Sequence, residues 1–188
     1  MSEQGLKKAV IIISLLFFTT ILMGWVGTAQ NQQIGEEFMR LFEKDVAGQV
    51  MGGSDLEIGG KIFVNNLEAC ILLFLGGASF GILTIFIMSL NGIVIGAILE
   101  IVHKQHSVAF VAAAILPHGI FEIPGFVIAG ALGVMLSHSL VNEYYGSGDA
   151  AADARHFTYL FALLVLPLIA VAAVVEAFIT PQVILLVV

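Results

Sequence analysis

Stretches without a single charged side chain constrain this chain more than any other feature. No Asp, Glu, Lys or Arg occurs in residues 9–35, 69–99, 105–121, 123–142 or 156–175. About 20 mostly apolar residues suffice for a helix to cross a bilayer core roughly 30 Å thick. Backbone in lipid must satisfy its own hydrogen bonds, so runs of this length fold as helices. Across 188 residues, 59% are hydrophobic and 11% charged, with a mean hydropathy of +1.04. Soluble domains carry about 25% charged residues. A water-soluble fold is excluded, and the chain reads as an all-α integral membrane protein. Seven Lys and Arg against fourteen Asp and Glu give a net charge of −7, the opposite of a nucleic-acid footprint. One cysteine, Cys70, rules out a disulfide framework or a multi-cysteine metal centre within the chain.

Residues 9–27 read as the first span. Lys7 and Lys8 before an apolar stretch also suit a signal peptide, but the run is long for one and AQNQQ is a poor cleavage site. A retained helix is preferred, with the two lysines holding the N-terminus in the cytoplasm of a multi-pass cell-membrane protein. The acidic segment 28–62 then faces outward. Ile34, Phe38, Leu41, Phe42 and Val46 recur within it at helical spacing, which predicts an amphipathic helix on the membrane surface or against the bundle. The string GQVMGGSDLEIGG ends that helix.

Residues 62–102 would measure about 60 Å as one helix, twice the hydrocarbon thickness. Ser89-Leu90-Asn91-Gly92 is the expected break, leaving a span over 63–88 and a short or re-entrant helix over 93–103. Pro117 with Gly119, and Pro124 with Gly125, predict broken helices in the next apolar stretch, because proline removes a donor and crowds the preceding turn. A last span covers 157–188. The expected architecture is about five transmembrane helices plus one short or re-entrant helix. It forms one membrane domain over residues 1–188, with its core at 63–182. Gly77 and Gly81, and Gly92 and Gly96, stand at G-x-x-x-G spacing and suit close helix contact, within one bundle by preference or across a homodimer.

Ionisable and amide side chains inside these runs carry the functional information: Asn65, Asn66, Glu68, Asn91, Glu100, His118, Glu122 and Glu176. A charged residue at mid-helix costs about 2.5–3.5 kcal/mol on insertion scales. Glu68 and Glu100 read as interfacial carboxylates near helix ends. His118 and Glu122, four residues apart beside a proline, share one helix face. Two uses follow. Either they form a proton or ion site of the kind discontinuous helices build, or they form a buried polar pair that fixes the helix packing. H-x-x-x-E supplies two ligands where a catalytic zinc has three. No P-loop or G-x-G-x-x-G is present, and neither an enzyme nor a cofactor is expected.

The runs NNLEACILLFLGGASFG (65–81), NG (91–92), ILPHGIFEIPGFVIAGALG (115–133) and VVEAFITP (174–181) closely resemble the stage II sporulation protein M family over residues 60–182. That resemblance implies a polytopic membrane protein. In endospore formers the member that names the family works with two secreted cell-wall hydrolases, as their anchor and scaffold rather than a catalyst. The expected function is therefore a non-enzymatic scaffold anchoring envelope proteins through residues 28–62. The alternative is a small transporter or channel with its ion site at His118 and Glu122, and with Glu176, Asn91, Asn65 and Asn66 contributing. Expected partners are the lipid bilayer, envelope proteins and, through the glycines, a second copy.

Overall fold

A computed structural model describes residues 3–31, 33, 37, 40 and 54–187. The described residues form helices and turns, with no strand among them. Five helices are long and apolar enough to cross a membrane. They are α1 (Glu3–Gln30), α2 (Asp55–Leu75), α3 (Ile82–Gln105), α4 (Val108–Tyr144) and α5 (Ala150–Ile184). Short turns join α2 to α3, α3 to α4 and α4 to α5. α4 lies at the centre and packs against the other four helices. Outward faces are apolar, as with Leu15, Leu22, Ile82 and Ile120. Several polar groups point inward instead, the arrangement a lipid solvent favours. The expected amphipathic helix through Ile34, Phe38, Leu41, Phe42 and Val46 lies outside the described residues.

The start of α2 is set by a capping box. The Ser54 hydroxyl accepts from the Glu57 N–H, and the Glu57 carboxylate accepts from the Ser54 N–H at 2.9 Å. Two backbone donors are thereby satisfied at once. The span therefore begins at residue 55, eight residues earlier than hydropathy suggests, because its first turns carry charge.

The expected break at Ser89–Gly92 is not there, and neither is a short helix over 93–103. α3 runs unbroken through it, with the Asn91 amide donating to its own helix at the Ile87 carbonyl, 2.9 Å. Opening a helix in lipid strands backbone groups, at several kcal/mol each. A glycine inside a helix costs only about 1 kcal/mol. The reversal falls instead at residues 76–81. A 3-10 turn spans Gly76–Ser79, and then Phe80 (φ 55°) and Gly81 (φ 82°) take left-handed conformations in succession. Ser79 donates to the Gly76 carbonyl at 2.6 Å and accepts from the Leu83 N–H at 2.9 Å. The Thr84 hydroxyl crosses back to the Leu73 carbonyl, 2.9 Å. Both ends of the turn are thus satisfied without water.

The prolines do not break α4 either. The helix continues through Pro117 and Pro124 over 37 residues, about 55 Å. Gly125 lets α5 approach, since a Cβ there would stand 2.8 Å from Ile169 Cδ1. A Cβ at Gly119 would make only ordinary contacts at 3.7 Å. In α5 the prolines are absorbed differently. Each of Pro167 and Pro181 follows a π turn, Phe161–Val165 and Val175–Ile179, in which the Leu166 and Thr180 N–H groups reach back to Phe161 and Val175. Widening by one residue skips the donor that proline lacks.

Candidate functional site

Three helices contribute to one polar cluster. α2 enters the membrane on the face where α1 leaves it, α4 starts on that same face, and α5 ends there. Asn66 lies eleven residues into α2, His118 ten residues into α4, and Glu176 eight residues before Ile184. At 1.5 Å per residue these depths are about 17, 15 and 12 Å, close to the middle of the hydrocarbon layer.

His118 and Glu176 are the closest pair. The imidazole Nδ1 contacts the Glu176 carboxylate Oε2, tying α4 to α5, with His118 mostly buried and Glu176 about one-third exposed. Glu122, one turn beyond His118, lies within electrostatic reach of both and of the side-chain amide of Asn66 on α2. Asn66 Oδ1 in turn accepts from Asn65 Nδ2 at 3.5 Å. Asn65, Asn66, Glu122, His118 and Glu176 thus cluster between α2, α4 and α5. Glu176 sits within the second π turn, whose extra residue rotates the side chains that follow. Local π geometry of this kind is frequent at functional sites.

Of the expected site residues, Asn91 does not join. It satisfies its own helix instead. Glu100 is buried and pairs with Lys104 at 3.2 Å, one turn nearer the end of α3. Glu68 departs from expectation more sharply. With the span running over Asp55–Ser79, it stands at mid-helix rather than near an end, and it is exposed.

Two further buried residues flank the cluster. Cys70 is fully buried one turn beyond Asn66 and lies within electrostatic reach of Glu122. Thr180 is buried one turn beyond Glu176. A lone cysteine or threonine in an apolar run carries no spacing signal, so only the packing identifies them.

The glycines fix how closely the helices approach. A Cβ on Gly92 would overlap the Thr20 hydroxyl, and one on Gly96 the Ile21 carbonyl, both on α1. On the other side, Gly77 meets the Gly133 carbonyl of α4, and Gly133 meets the Leu73 carbonyl of α2. Gly81 provides the left-handed turn residue. Among the described residues no group of three or more His, Cys, Asp or Glu is arranged to hold a metal ion. The chemistry available to the cluster is hydrogen bonding and charge pairing between helices, or exchange of a proton along them.

The sequence matches the family described as Stage II sporulation protein M over residues 13–181. An uncharacterized protein of Methanocaldococcus jannaschii is 28% identical over 141 residues, covering 72% of this chain and 62% of that protein. A second uncharacterized protein of the same archaeon is 25% identical over 183 residues, covering 95% of this chain and 97% of the relative. The chain thus spans under two-thirds of the length of the first relative and nearly all of the second. No solved structure matches it significantly.

Proposed function

Because the chain belongs to the stage II sporulation protein M family, and is accordingly a multi-pass membrane protein, we propose that it acts as a non-enzymatic scaffold. In this reading it sits in the cell membrane with its N-terminus in the cytoplasm. The observation that supports a scaffold most is the destination of the mid-membrane polar groups. His118 of α4 contacts Glu176 of α5, and Glu122 lies within electrostatic reach of both and beside Asn66 of α2, which suits a network that holds one packing. Carriers need helices that exchange between arrangements. Here the glycine contacts of α1 with α3, and of α2 with α4, lock backbones together at short range. Partner capture falls to the acidic segment between α1 and α2, and envelope proteins are the partner class that the family suggests.

Two experiments test this. Polar replacements at Ile34, Phe38, Leu41 and Phe42 are expected to abolish partner recovery from native membranes while the bundle still folds; unchanged recovery counts against the proposal. Proteoliposomes carrying an internal pH or ion dye are expected to show no flux. Flux through the wild type that vanishes in folded Glu122→Gln overturns the scaffold in favour of a carrier.

A further inference from the structure

The position of Glu68 poses a physical problem that the bundle itself does not solve. It stands 13 residues into α2 and at the centre of the span Asp55–Ser79. At 100° per residue, Glu68 lies opposite the buried face formed by Gly59, Asn66, Cys70 and Leu73. Around it the outward face carries Val64, Asn65, Leu72 and Leu75, all exposed. Among the described residues Glu68 meets no donor. A carboxylate turned outward at mid-span is unfavourable against hydrocarbon, so this face calls for a neighbour that offers a hydrogen-bond donor at the same depth.

We propose that the neighbour is α2 of a second copy, packed in parallel about a twofold axis along the membrane normal. A second copy in the same membrane brings its donor to the right depth automatically. Asn65 and Glu68 are three residues apart, about 4.5 Å along the axis. In a parallel pair, the amide of each Asn65 lies within a turn of Glu68 on the other copy. Twofold symmetry makes the contact reciprocal, as isologous interfaces require: each amide donates and each carboxylate accepts. Gly60, whose outer side is open space for a Cβ, lets the two backbones come close. Because Asn65 also touches Asn66, the contact joins the inner polar cluster of one protomer to Glu68 of the other. This inference is independent of the scaffold reading, because it concerns the assembly of the chain with itself.

The test is cysteine cross-linking and dilution in proteoliposomes. Native Cys70 is fully buried on the opposite face of α2 and serves as an internal negative control. Val64→Cys and Leu72→Cys are expected to give cross-linked dimers with a short bismaleimide. The native protein, and Leu15→Cys on the exposed face of α1, are expected to give none. Energy transfer between labelled copies, followed as lipid is added, is expected to show Glu68→Leu dissociating at roughly tenfold higher protein-to-lipid ratio than wild type. Thermal unfolding should be unchanged, and Glu68→Gln, which keeps an acceptor, should hold the dimer. A wild type that stays monomeric at high density overturns the proposal. So do cross-links at residue 15 as strong as at 64 and 72, cross-links to a different protein in native membranes, or a Glu68→Leu midpoint that does not move.

Discussion

Gly96→Ala isolates the close packing of α1 on α3. Their N-termini lie on the same face, two connections apart, so the two helices run parallel. Gly96 faces the Ile21 carbonyl and the Trp25 N–H, and an added Cβ would overlap the first and stand 2.8 Å from the second. Both are backbone atoms of one helix and cannot turn aside as a side chain does, so α1 must move as a unit. Overpacking of this kind costs typically 1–3 kcal/mol, and about 2 kcal/mol is expected. Gly27 is the control on the same pair of helices: it also lies inside a helix, but a Cβ there meets nothing within 4 Å. Gly27→Ala is therefore expected to be neutral or to stabilise by about 0.5–1 kcal/mol through reduced backbone entropy. The chain supplies its own reporter, because its one cysteine, Cys70, is fully buried. A thiol-reactive fluorogenic maleimide in mild detergent reads unfolding directly. Gly96→Ala is expected to melt roughly 4–8 °C below wild type and Gly27→Ala at or slightly above it. Equal melting temperatures for the two alanine variants would refute the claim that this crossing is set by backbone contact.

Two further substitutions probe the turn between α2 and α3 with the same thiol assay. Thr84→Val keeps the shape but removes the 2.9 Å bond to the Leu73 carbonyl; a loss of about 1–2 kcal/mol is expected. Gly81→Ala forces a Cβ into a left-handed position at φ 82°, 3.3 Å from the Ser137 hydroxyl, and is expected to destabilise by about 1–2 kcal/mol.

Much of this bundle is legible in the chain, and the exceptions have physical causes. Charge-free runs mark the chain as membrane-spanning and helical because lipid leaves the backbone few alternatives. The location of the α2–α3 reversal is not legible in the same way. Gly76-Gly77 and Asn91-Gly92 are equally permissive locally, and the choice is made by tertiary partners, namely Thr84 reaching Leu73 and Gly77 resting on α4. At the second site Gly92 is needed inside the helix to admit Thr20 of α1. Proline misleads for a related reason. In water a helix interrupted at Pro117 would expose backbone to solvent at modest cost, whereas inside a membrane bundle the helix persists. Of the polar cluster, the His118 and Glu122 spacing is visible as i, i+4, but the pairing of His118 with Glu176 across 58 residues is a property of the packing. Asn91 drops out because an amide in a helix can serve its own backbone. Glu68 changes meaning once the capping box at Ser54 moves the start of the span toward the N-terminus.

The central claim is that the mid-membrane polar residues tie helices together, and a double-mutant cycle on His118 and Glu176 tests it most directly. The variants are His118→Leu, Glu176→Leu and the pair, each melted by the accessibility of the Cys70 thiol in detergent and in bilayers. Removing one partner leaves the other without its contact and is expected to destabilise each single variant by about 2 kcal/mol or more. Removing both eliminates the unpaired group as well, so the double variant should recover part of that loss, with a coupling of about 1 kcal/mol or more. Strictly additive losses, or single variants that melt with wild type, would contradict the claim that this pair holds α4 to α5.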